Sequence, residues 1–186
     1  MADAAFAPAA WDIPDAAIVA LAALCCAAGY RVRGSRLWRE WTGRGVTTAR
    51  IVAWGGSCAV AALLCWPVPW WLPPAVMLAA WAGATPPQWK SIDVGQREGT
   101  WWRDLLVQSG RGVIGVSGIA ALLALAGGAW WPVAAAGVLA GPVYGLAWIA
   151  RPHLPALGVL RHDPPAAGEL LFGGAVGAGI ALGLLD

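Results

Sequence analysis

Apolar residues in this chain do not alternate with polar ones; they come in long runs. Six runs, at about 13–30, 47–66, 70–85, 104–126, 132–150 and 166–185, are built from Ala, Gly, Leu, Val and Trp. Each is close to the roughly 20 apolar residues a helix needs to cross a hydrocarbon core of about 30 Å. The pattern predicts an all-α integral membrane fold: a bundle of six transmembrane helices forming a single transmembrane domain over residues 1–186. Tight turns follow the second run (P-V-P) and the fourth (G-G-A-W-W-P). Polar stretches at 31–46, 86–103 and 151–165 join the others. The third run is the shortest, with Pro73 and Pro74 at its start and Pro86 and Pro87 closing it. It either crosses with help from its Trp-rich ends or local thinning of the bilayer, or it is re-entrant.

Composition strengthens this picture. Hydrophobic residues make up 59% of the chain and charged residues 12%, against about 25% charged in a soluble domain. So few charges cannot cover a water-exposed surface of this size, which makes lipid the solvent. The distribution of charge supplies the orientation. All 12 Lys and Arg fall in the three polar stretches or the adjoining helix ends, while the opposite side carries only Asp3, Asp12, Asp15 and Asp186. Basic loops stay in the cytoplasm. This predicts cytoplasmic loops at 31–46, 86–103 and 151–165, with both termini extracytoplasmic, in the inner membrane of a bacterium. Most of the 14 Trp fall at the ends of the runs, where an indole sits well at headgroup level; Trp54 and Trp81 are the exceptions. Topology accounts for the basic residues, so no nucleic-acid partner is implied. Arg31 to Arg44 is instead a candidate contact for anionic lipid.

Within the runs, two charges stand out. Arg111 lies seven residues beyond Asp104, and Glu169 lies one turn into the sixth run. A lone charge in hydrocarbon is costly, which predicts an intramembrane pair of Arg111 with Glu169, with Arg50 as the alternative partner. Gly137, Gly141 and Gly145 recur every four residues in the fifth run, and Gly173 and Gly177 do so in the sixth. Such stripes let helix backbones approach closely, either within the chain or between copies in a homo-oligomer. The four Cys lie in apolar runs without metal-ligand spacing and read as reduced, small hydrophobes, so no metal or cofactor is expected. A weak parallel repeat relates 50–71 to 111–131, with Arg50 matching Arg111 and Trp70-Trp71 matching Trp130-Trp131.

The central polar stretch is the one candidate for catalysis. Asp93, Arg97, Glu98, Arg103 and Asp104 interleave both charge signs beside helix ends. Arg97 and Arg103 suit a phosphate, with Asp93 or Glu98 as base or metal ligand. His153, His162 and Asp163 lie in the next polar stretch. None of these residues forms a known catalytic or nucleotide-binding motif, and mixed charge in a wet loop needs no catalytic explanation.

Four short motifs carry a resemblance: I-D-V-G at 92–95, W-R-D at 102–104, G-P-V-Y at 141–144 and G-E-L-L-F-G at 168–173. In these the chain resembles small polytopic membrane proteins, of about six spans, from bacterial and phage or prophage genomes. The resemblance covers roughly the C-terminal half. It implies a membrane location and a mobile-element origin, without a mechanism. The leading expectation is a non-enzymatic membrane protein acting through helix association or partner binding. The alternatives are a membrane enzyme acting on an anionic or lipid-linked substrate at the cytoplasmic face, and a small transporter.

Overall fold

The structure, a computed structural model, describes residues 14–34, 51–83, 97–150 and 164–185. Among these residues there are helices and turns and no strands. Helix α1 is Asp15–Gly34. Helix α2 opens with a π turn, Ile51–Gly55, and continues as Gly56–Leu64. The others are α3 (Leu72–Gly83), α4 (Trp101–Leu125), α5 (Trp131–Ala150) and α6 (Pro164–Leu185). Helices α1, α4 and α6 contain stretches long and apolar enough to cross a membrane (Asp15–Val32, Trp101–Leu125 and Gly168–Leu185). Val52–Leu64, Leu72–Gly83 and Trp131–Val143 are shorter apolar helices.

Local chemistry sets the helix ends. The Pro14 carbonyl accepts from the backbone N–H groups of Ala17 and Ile18 at 2.7 and 3.3 Å. Asp15 places an acid in the first turn, where the helix dipole favours it. Pro73 and Pro74 sit in the first turn of α3, where the missing N–H groups have no helical acceptor to lose. Helix α4 stops where Gly127 takes φ +82°. There the N–H groups of Gly127 and Gly128 bond back to the carbonyls of Ala124 and Leu123, a left-handed glycine stop. The next N–H, from Ala129, donates to the Gly183 carbonyl at 2.7 Å, tying this turn to the end of α6.

Helix contacts follow chain order and then close. Each helix packs on its sequence neighbours, and α6 packs on α1, making a ring of antiparallel helices. Helix α6 also reaches α2 and α4 across the middle. Half of its apolar window (50%) is buried, against 22% for α1 and 28% for α4, so α6 leans into the centre of the ring. The interior is filled by Trp54, Leu72, Val76, Val116, Ile119, Leu123, Val133, Phe172, Val176 and Ile180. Outward positions carry exposed Leu, Val, Ile and Trp, among them Leu24, Leu63, Ile114, Leu139 and Leu171.

Glycine makes the close crossings. A Cβ at Gly177 would run into the Ala22 carbonyl, and one at Gly173 into the Cys26 carbonyl and Tyr30. Gly112 and Gly137 lock α4 to α5 in the same way, and Gly83 meets Gly115 between α3 and α4. The described helices also shift two expected boundaries. Helix α1 continues past Tyr30 to Gly34, which makes Arg31 helical. Helix α4 starts at Trp101, so W-R-D is its first turn rather than part of a loop.

These crossings predict a sharp contrast between two glycines. Gly177→Val forces α1 and α6 apart and lowers unfolding stability by about 1–3 kcal/mol, the usual cost of overpacking. Gly110 lies on the outer face of α4, where an added Cβ would meet nothing within 4 Å, so Gly110→Ala stabilises by about 0.5–1 kcal/mol through helix propensity. Equilibrium unfolding of both variants in detergent micelles checks the pair.

Candidate functional site at the basic end

Antiparallel packing gathers the end of α1 and the starts of α2, α4 and α6 at one end of the ring, which holds Arg31, Arg97, Arg103 and Arg111. Among α1, α2 and α6 three aromatic rings pack together. Tyr30 packs edge-on against Trp54, with ring centroids 4.7 Å apart, and against Phe172 at 5.3 Å. Trp54 and Phe172 stack at 6.5 Å. All three side chains are buried. The rings therefore pack against one another between α1, α2 and α6.

One residue beyond Tyr30 lies the ion pair. The Arg31 guanidinium donates from Nη1 to Oε2 of Glu169 at 3.3 Å. The Glu169 side chain is 15% exposed and that of Arg31 32%. The carboxylate is thus largely out of solvent, where it needs a cation, while the longer side chain of Arg31 reaches toward water.

Among the described residues, the cation that meets Glu169 is Arg31 rather than the expected Arg111. The reason is register. Gly177 lies against Ala22 and Gly173 against Cys26. Four residues further along the same antiparallel crossing, Glu169 comes opposite Tyr30 and Arg31. Arg111 is half-buried on α4, one turn before Gly115, the residue that meets the last residue of α3, Gly83. The alternative partner, Arg50, lies outside the described residues.

The four described catalytic candidates, Arg97, Glu98, Arg103 and Asp104, do not form an enclosed site among the described residues. Arg97 and Glu98 occupy an exposed helical turn before Gly99. The exposed Arg103 guanidinium sits 5.4 Å from the centroid of the Trp102 ring, a cation–π contact. Asp104 is half-buried in the first turn of α4, as an acid favoured by the helix dipole. Asp93 lies outside the described residues, as do His153, His162 and Asp163. Among the described residues, no group of three or more His, Cys, Asp or Glu is placed to hold a metal ion.

The glycine stripes are used inside the chain. Gly137, Gly141 and Gly145 lie against Gly112, the Leu105 carbonyl and the Leu105 side chain of α4, and Gly173 and Gly177 lie against α1. Sequence reasoning missed Gln108, the one wholly buried polar side chain among the described residues. It sits in L-L-V-Q-S-G-R-G, where the inward face of α4 cannot be told from its neighbours until α5 is in place. It also missed Arg31 as a partner, because Arg31 opens a basic run that reads as the start of a loop.

A double-mutant cycle separates the two pairings. Glu169→Ala and Arg31→Ala are expected to couple by about 1–2 kcal/mol, between the values for exposed and buried ion pairs. Glu169→Ala and Arg111→Ala are expected to add without coupling, as residues that share no contact do. Unfolding midpoints in micelles supply both cycles.

Compared with protein-family models, with curated proteins and with solved structures, the chain matches none.

Proposed function

We propose that the chain is a six-span protein of a bacterial inner membrane that works without catalysis, by presenting its outer helix faces and its basic end to a partner. In this reading the basic end faces the cytoplasm and both termini lie outside. Two features support the placement. Exposed apolar side chains occur on all the helices, and Arg31, Arg97, Arg103 and Arg111 gather at one end, as the retention of basic residues in the cytoplasm requires. The resemblance to phage and prophage membrane proteins adds a role in the host envelope to this reading.

The observation that carries the functional part is the close packing of the described interior. Helix α6 leans into the ring to reach α2 and α4, and the Tyr30, Trp54 and Phe172 rings pack among α1, α2 and α6. A transport path needs polar groups lining a continuous cavity, and charges near the bilayer centre mark such paths. Here the half-buried charge pair lies at the mouth of the bundle, next to tightly packed rings. An enclosed reaction site needs convergent acid, base and anion-binding groups, whereas Arg97, Glu98 and Arg103 are exposed. Among the described residues, what remains available for interaction is the outside.

Two measurements test this. Reporter domains fused after Leu185 and within the 31–46 stretch are expected to report opposite sides of the membrane, with the 31–46 fusion inside. Both on one side overturns the topology. Purified protein in liposomes is expected to leave proton and anion gradients intact. Saturable dissipation that Glu169→Gln abolishes would instead establish transport.

A further inference from the structure

Three of the four cysteines meet at the crossing of α1 and α2. Cys26 and Cys58 are fully buried, and their Sγ atoms lie 4.0 Å apart. Cys25 and Cys26 each direct a thiol to the carbonyl of Ser57 at 3.6 Å. The Ser57 hydroxyl is engaged elsewhere, donating to the Ala53 carbonyl at 2.6 Å. Cys65 stands apart, bonded to the carbonyl of Ala61 one turn back in its own helix at 3.4 Å. All four are free thiols. Read from the sequence, they are packing residues; the crossing makes two of them a facing pair from different helices.

Coordination chemistry narrows what such a pair can hold. A structural zinc ion takes four ligands, and no group of three or more metal-binding side chains occurs among the described residues. Two thiols suit a soft ion that is content with two ligands, since thiolates select soft metals. Charge narrows it further. Two thiolates around a monovalent ion leave a net negative charge in an apolar interior, which is strongly unfavourable. Around a divalent ion the complex is neutral.

We propose that Cys26 and Cys58 form a two-coordinate bis-thiolate site for a soft divalent d10 ion, with Hg(II) as its fitting member. With metal–thiolate bonds of about 2.3 Å, a straight S–Hg–S bridge spans about 4.6 Å. The two sulfurs need to part by roughly 0.6 Å from their present 4.0 Å, a small rotation of either side chain. The step balances without electron transfer. Each thiol loses its proton and forms an S–Hg bond, both Hg–Cl bonds of mercuric chloride break, and two HCl leave. Mercuric chloride is itself neutral and crosses lipid to reach the site. Cys25, half-buried, shares the Ser57 carbonyl beside the pair.

The test uses the full chain in lipid nanodiscs, loaded with mercuric chloride and then washed with an excess of monothiol, which strips ions held by one sulfur. Wild type and Cys65→Ala are expected to retain one Hg(II) per chain. Cys26→Ala and Cys58→Ala are expected to lose retention by about a hundredfold, the advantage of a second ligand held in place. Loss of mercury from wild type overturns the site, as does undiminished retention by Cys26→Ala or Cys58→Ala. X-ray absorption at the mercury edge, on wild type loaded with one equivalent of mercuric chloride and with no monothiol added, makes the test independent of how the variants fold. Two sulfur neighbours support the site, and one sulfur with one chloride refutes it.

Discussion

Where Gly173 and Gly177 meet the carbonyls of Cys26 and Ala22, two helices from opposite ends of the chain approach without a side chain between them. In lipid there is no hydrophobic force to press helices together, so close van der Waals contact and satisfied polar groups must do so. This crossing supplies both. It brings α6 against α1 and into the centre of the ring, and its register sets Glu169 opposite Arg31 and Phe172 against Tyr30. The other helices then follow chain order, each held to the next by a short turn or by glycine contacts of the same kind.

The α1–α2–α6 corner is thereby both tightly packed and charged. Three interlocked rings fill it, and a partly exposed arginine holds a nearly buried carboxylate beside them. The two features have different jobs. The rings remove volume from the interior, and the ion pair lets a largely buried carboxylate sit beside them without an uncompensated charge. The thiol pair deeper in the α1–α2 crossing is the one place in the described interior where chemistry and packing coincide.

Much of this is legible in the sequence, for definite reasons. Long apolar runs announce helices regardless of tertiary context. The four-residue spacing of Gly137, Gly141 and Gly145, and of Gly173 and Gly177, marks faces where backbones meet. Glu169 stands out because an acid among Leu, Phe and Gly needs an explanation. What the sequence cannot supply is which helix answers each of these features. The partner of Glu169 depends on register between α1 and α6, which is a relation across most of the chain. Arg31 reads as loop because it opens a basic run, yet a long side chain can leave an apolar helix one turn before its end and still reach water. The facing of Cys26 and Cys58 is hidden for the same reason as the burial of Gln108: each is a property of two helices, and neither helix carries it alone.

The closure of the ring by α1 and α6 is the claim on which the rest stands, and spin-label distances test it most directly. In a cysteine-free background, labels go on exposed positions near the crossing, Leu24 of α1 and Leu171 of α6, with Leu24 and Leu125 of α4 as the comparison pair. Ring closure predicts strong dipolar coupling for Leu24 with Leu171 and much weaker coupling for Leu24 with Leu125. Equal coupling in the two pairs, or none in the first, would contradict the α1–α6 crossing and everything derived from its register.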